Sequence, residues 1–140
     1  SAASDVYKRQ IRLALKTALG CGIFFFAATL VFNHQIVGLF IDKSYQAYDI
    51  AVNGIPYFAV GYLFFALNIV GIGYYQSIER ARRATVITLF RGTLFMLAGF
   101  LLLPPVLGVR GIWLAVPLAE LLTLLLIIGI YLKDSFAVRR

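Results

Sequence analysis

Ionisable side chains are scarce in this sequence. Asp, Glu, Lys and Arg make up 14% of its 140 residues, where a soluble domain carries about a quarter. Cysteine is rarer still. Cys21 stands alone inside an apolar run, which excludes a disulfide framework and the paired spacing of a zinc site. One His and six acidic residues are scattered along the chain. The apolar runs therefore hold no Ser-His-Asp set, no metal-ligand cluster and no paired carboxylates. These absences argue against an enzyme, a bound cofactor or a resident metal. Methionine occurs once, at Met96, and the first residue is Ser1, which leads us to expect a fragment of a longer product.

What the chain has instead is apolar surface, at 61% hydrophobic residues, more than a domain of this size can bury in its own core. Lipid is the natural second solvent. No charged residue occurs in the 25 residues from Thr17 to Ile41 or in the 29 from Ile50 to Ile78. A third run, Ala84 to Val109, contains only Arg91, and a fourth, Gly111 to Leu132, only Glu120. A hydrocarbon core about 30 Å thick needs roughly 20 helical residues. Each run is long enough to cross once. None shows the period-2 alternation of barrel strands, so the expected fold is all-α and integral to the membrane. Four transmembrane helices are expected at about 13–40, 50–78, 84–104 and 111–132. Pro104-Pro105 is expected to end the third, and Gly108 to Gly111 to turn into the fourth. Residues 1–10 (SAASDVYKRQ) are polar without the apolar core of a signal peptide. They read as a linker or adapter-derived tail ahead of a partial transporter domain, 11–140.

The net charge of +7 would suggest nucleic acid in a soluble protein. Here the basic residues form short clusters between apolar runs without aromatic interleaving, so no nucleic-acid partner is expected. They report orientation. Lys8, Arg9, Arg12, Lys16, Arg80, Arg82, Arg83, Lys133, Arg139 and Arg140 fall on one side, against only Lys43 and Arg110 on the other. The positive-inside rule then places both ends and the 79–83 loop in the cytoplasm of a multi-pass protein of the cell (inner) membrane.

The order of features resembles the multidrug and toxic compound extrusion (MATE) family. Gly38-Leu39-Phe40 ends the first run ahead of Asp42. Ile55-Pro56-Tyr57-Phe58 opens the next helix and Gly71-Ile72-Gly73-Tyr74-Tyr75-Gln76-Ser77 closes it. The basic loop Glu79-Arg80-Ala81-Arg82-Arg83-Ala84 follows, then Arg91-Gly92 through Pro104-Pro105. Last comes Gly111-Ile112-Trp113-Leu114-Ala115-Val116-Pro117-Leu118-Ala119-Glu120. The resemblance covers about Ile11 to Leu132. It implies the last four of twelve helices, within the second six-helix lobe of a secondary transporter. The N-terminal lobe of the same protein would then be a partner. It further implies multidrug efflux by antiport, with small organic cations or amphipathic drugs exchanged for protons or sodium ions. Many relatives carry an embedded carboxylate in the helix corresponding to 50–78. This chain has none there, and the nearest polar residues are Asn53, Asn68 and Gln76. Two rivals remain: a flippase for lipid-linked saccharides of the same broad superfamily, and a complete small four-helix membrane protein.

Glu120 is the foremost candidate for transport or gating. Intramembrane acids are expensive and usually line a cavity or pathway, and a carboxylate that exchanges a proton would suit a coupled cycle. A structural ion pair is the bland alternative. Arg91 lies about 10 Å from the cytoplasmic end of its helix and Glu120 about 18 Å, at 1.5 Å per residue. The two can meet if their helices adjoin; otherwise Arg91 snorkels to the interface. In the second helix Asn53, Tyr57, Val60, Phe64, Asn68, Gly71 and Tyr75 fall within an arc of about 80° at 100° per residue, with Tyr62 pointing away. This stripe suits a wall facing protein or water, and ring faces attract organic cations. Asn53, Tyr57, Asn68 and Tyr75 join Arg91 and Glu120 as candidates, beside the plainer reading of ordinary helix packing. Pro56 and Pro117 can kink their helices, Trp113 belongs near the outer interface, and His34 near the outer surface.

Overall fold

The computed structural model describes residues 2–139, and every regular element among them is helical. Helix α1 (Ala2–Val31) is followed by α2 (Asn33–Phe40), α3 (Gln46–Ala59) and α4 (Gly61–Ser77). Next come α5 (Ala81–Leu89), a π-helical turn (Phe90–Leu94), α6 (Phe95–Leu107) and α7 (Val109–Arg139). Among the described residues three helical stretches are long and apolar enough to cross a bilayer: Asp5–Val31, Ala81–Leu107 and Val109–Arg139. Helices α3 and α4, bent by 43° at their junction, have the length and apolarity of a fourth when taken together. Phe24, Phe25, Leu101, Leu102 and Val106 stay exposed. Apolar surface on that scale belongs against lipid or further protein.

The helices overrun the apolar runs, because backbone hydrogen bonding does not stop where the apolar side chains do. Residues 2–10, expected as a linker, continue α1, since nothing in that stretch is Gly or Pro. The last helix runs on past Leu132 to Arg139. Pro104 and Pro105 do not end the third span. Their fixed φ is helical, and the helix continues to Leu107, where the Gly108 N–H donates to the Pro104 carbonyl at 2.7 Å. The stop is Gly108 itself, with φ +68°, a backbone that glycine adopts without a Cβ penalty. Between α2 and α3 the Ser44 N–H donates to Asp42 Oδ1 at 3.0 Å, which holds that exposed carboxyl below the usual carboxylate range.

Proline chemistry shapes the bent span. Pro56 has no N–H to offer the carbonyl four residues back, that of Val52. Asn33 of α2 fills the vacancy, its Nδ2 donating to Val52 O at 2.7 Å. The bend lies at Val60–Gly61, and Gly61 faces Pro117 of α7, where a Cβ would stand 3.3 Å from Pro117 Cα. Helices α6 and α7 lie closer still. A Cβ on Gly99 would stand 2.7 Å from Ala115 O, and one on Gly111 2.5 Å from Leu103 O. Gly111, Ala115 and Ala119 are all buried and recur every fourth residue, the small-residue spacing that lets membrane helices approach.

Two packed clusters mark the ends of the bundle. Near one end Ile72, Tyr75, Ala84, Ile87 and Ile127 pack together. There the Tyr7 hydroxyl donates to Ser77 O at 3.3 Å, and Asp134 pairs with Arg83 at 2.5 Å and Arg80 at 3.5 Å. The start of α1, the 78–80 loop and the last turns of α7 therefore share this end, bringing the basic clusters together. Near the other end Val37, Tyr48 and Ala51 pack with Ile55 and Trp113, and the Tyr48 hydroxyl lies 3.2 Å from His34 Nδ1.

Candidate functional site

Glu120 sits on α7 three residues past Pro117, and its side chain is 6% exposed. A lone carboxylate in such surroundings would be costly. Two elements besides its own neutralise and hold it. From the π turn, Arg91 Nη2 donates to Glu120 Oε1 at 2.9 Å, and Nε reaches Oε1 and Oε2 at 3.0 and 3.1 Å. This is the planar fork geometry that favours arginine over lysine at a carboxylate. From α4, Asn68 Nδ2 donates to Glu120 Oε2 and to the Glu120 backbone carbonyl, both at 2.8 Å. Asn68 is fully buried, and its Oδ1 has no hydrogen-bond partner among the described residues. One turn further along α7, the buried Thr123 hydroxyl closes back onto Ala119 O at 2.8 Å.

The pair borders a cavity of about 420 Å³ lined by Phe58, Gly61, Tyr62, Phe65, Arg91, Gly92, Met96, Val116 and Glu120. The Arg91 guanidinium lies over the Phe65 ring, 4.9 Å from its centroid, within cation–π range. The cavity thus joins the bend between α3 and α4, the π turn and the Pro117 region of α7. Irregular backbone of these kinds in membrane helices often accompanies functional sites.

The structure brings three of the six candidates together: Glu120, Arg91 and Asn68. Arg91 reaches Glu120 because the π turn packs against α7. Asn53 and Tyr57 lie elsewhere, lining a second cavity of about 510 Å³ with Ile50, Gly54, Val109, Arg110 and Trp113. Arg110 approaches the Tyr57 ring there, at 6.0 Å. Tyr75 is 2% exposed in the core near the basic end, its hydroxyl without a hydrogen-bond partner among the described residues. The expected single stripe from Asn53 to Tyr75 is therefore divided. A uniform 100° advance assumes one straight helix, and the 43° bend breaks it. Tyr62, expected to point away, instead lines the Glu120 cavity. Phe58, Tyr62 and Phe65 were missed as a group, although their i, i+4, i+7 spacing marks one helical face. Gly92 and Met96 follow Arg91 at i+1 and i+5, and nothing in the sequence singles them out.

The MatE family model matches residues 4–101, from the start of α1 through the π turn and into α6. The match takes in most of the stretch read as a tail and includes Asn68 and Arg91, ending before Glu120. Comparisons with curated proteins and with solved structures found no match. With well over half of its length matched, this membrane-spanning chain belongs to the MatE family, whose members are transporters rather than enzymes.

Proposed function

We propose that this segment works in the second lobe of a secondary active transporter of the inner membrane, with both ends of the segment cytoplasmic. The transporter exports cationic or amphipathic organic molecules in exchange for protons or sodium ions. The observation that carries this reading is a buried carboxylate, Glu120, held by Asn68 and neutralised by Arg91 at the edge of an aromatic-walled cavity. A carboxylate whose cationic partner can change is what coupling to an ion requires, and ring faces with a carboxylate suit organic cations. A flippase for lipid-linked pyrophosphates would need free positive charge in its cavity. The guanidinium in this cavity is already taken up by Glu120.

The test is transport. Everted vesicles carrying the full-length protein should accumulate ethidium when a proton or sodium gradient is imposed, and Glu120→Gln should abolish that accumulation. Wild-type accumulation by Glu120→Gln, across a range of pH and sodium, would remove Glu120 from the mechanism.

A further inference from the structure

We infer that Arg91 is a resident stand-in for the transported cation. Its guanidinium fills the position formed by the Glu120 carboxylate and the Phe65 ring, and an incoming ligand takes that position by displacing it. The inference rests on the proposed export of organic cations and adds the chemistry of the ligand. The preferred head is a planar amidinium or guanidinium fork, carried on an aromatic body.

The two partners are held unequally. Asn68 Nδ2 donates at 2.8 Å to Glu120 Oε2 and at 2.8 Å to the Glu120 backbone carbonyl, neither involving Arg91. One bond to the carboxylate and one to its own backbone therefore hold Glu120 when the guanidinium leaves. For Arg91, the polar contacts among the described residues all go to Glu120, with the Phe65 face as its other neighbour. Its side chain is 24% exposed against 6% for Glu120. It is also carried on the π turn, the most loosely wound stretch of its span. A freed arginine has a long stem with which to reach water or headgroups.

The vacated position selects for shape as well as charge. Arg91 shows that Glu120 accepts a flat fork through three contacts of 2.9–3.1 Å while the same cation lies on Phe65. A tetraalkylammonium ion has no N–H to donate. The adjoining volume of about 420 Å³, walled by Phe58, Tyr62 and Met96, gives an aromatic body room beside the fork.

The experiment uses the full-length protein in detergent micelles, with phenylguanidine as probe and neutral phenylurea as control. In ¹⁵N-arginine-labelled wild-type protein, the Arg91 Nε resonance, assigned by its loss in Arg91→Gln, should move to saturation with phenylguanidine and stay put with phenylurea. Arg91→Gln removes the competitor and should tighten phenylguanidine binding about tenfold or more, because the competent fraction rises. Arg91→Lys keeps the charge without the fork and should tighten it by a smaller factor, while Glu120→Gln should abolish it. An Arg91 resonance unmoved at saturation overturns the inference, and so does unchanged or weaker binding in both Arg91 variants. If both variants misfold, the resonance is assigned instead by its shift in Phe65→Leu, which removes the ring under the guanidinium, and the wild-type titration still decides. Glu120-dependent ethidium transport without displacement of Arg91 would refute the stand-in and leave export intact. Displacement without gradient-driven transport would do the reverse.

Discussion

At the scale of single residues, the site depends on one charge balanced by another in a poor solvent for both. Removing one partner of a buried pair typically costs about 3–5 kcal/mol, because the other charge is left stranded. Arg91, being 24% exposed, recovers part of that by hydration, so Glu120→Gln should fall at or below the lower end. Gln can still accept from Asn68, which keeps the packing. The paired substitution Glu120→Gln with Arg91→Gln leaves no stranded charge. Thermal unfolding in detergent should therefore show the double variant more stable than Glu120→Gln alone. Simple additivity of the two losses would mean that the pair stores no coupling energy.

Elements owe their shape here to missing donors and missing side chains. Pro56 cannot bond to the Val52 carbonyl, and Asn33 does so instead. Asn33→Ala should cost about 1–3 kcal/mol by leaving that carbonyl unsatisfied. In a Pro56→Ala background residue 56 regains an N–H for Val52, so the same Asn33→Ala change should cost about 1 kcal/mol less. A thermal-denaturation cycle on the four proteins checks this, and equal costs in both backgrounds would refute the exchange of donors. The α6–α7 contact is set by absent volume. Gly99→Ala would place a Cβ 2.7 Å from the Ala115 carbonyl oxygen, and rigid backbone cannot yield as a side chain does. A loss of about 1–3 kcal/mol is expected from such overpacking, read as a lowered unfolding midpoint. Ala at the open position Gly92, which meets nothing within 4 Å, should have little steric effect.

For the whole molecule, the arrangement of ends is the most testable feature. Ser77 lies beside Tyr7 at the end that also holds Arg80, Arg83 and Asp134, and Ser44 lies in the loop before α3. In a background lacking Cys21, Ser44→Cys should react with an impermeant thiol reagent from outside intact cells, and Ser77→Cys only after permeabilisation. Labelling of Ser77→Cys from outside would reverse the proposed orientation. Much of this plan was legible in the residues alone. Apolar runs long enough to cross a bilayer, and charges gathered between them, are properties of composition along a line, so the spans, and the gathering of basic clusters at one end, can be read without knowing which helices touch. That Arg91 and Glu120 could meet was readable for the same reason, from the rise per residue along each run. Azimuth and adjacency were not. The bend at Val60–Gly61, the π turn under Arg91 and the close α6–α7 seam are set by contacts between segments distant in sequence. Through them Asn53, Tyr57 and Tyr75 were separated from Asn68, while Phe58, Tyr62 and Phe65 came to line the cavity beside Glu120. The sequence by itself determined that the chain crosses a membrane and carries one carboxylate within it. Only tertiary packing decided which side chains meet that carboxylate, because a hydrogen bond depends on the relative placement of helices that hydropathy does not encode.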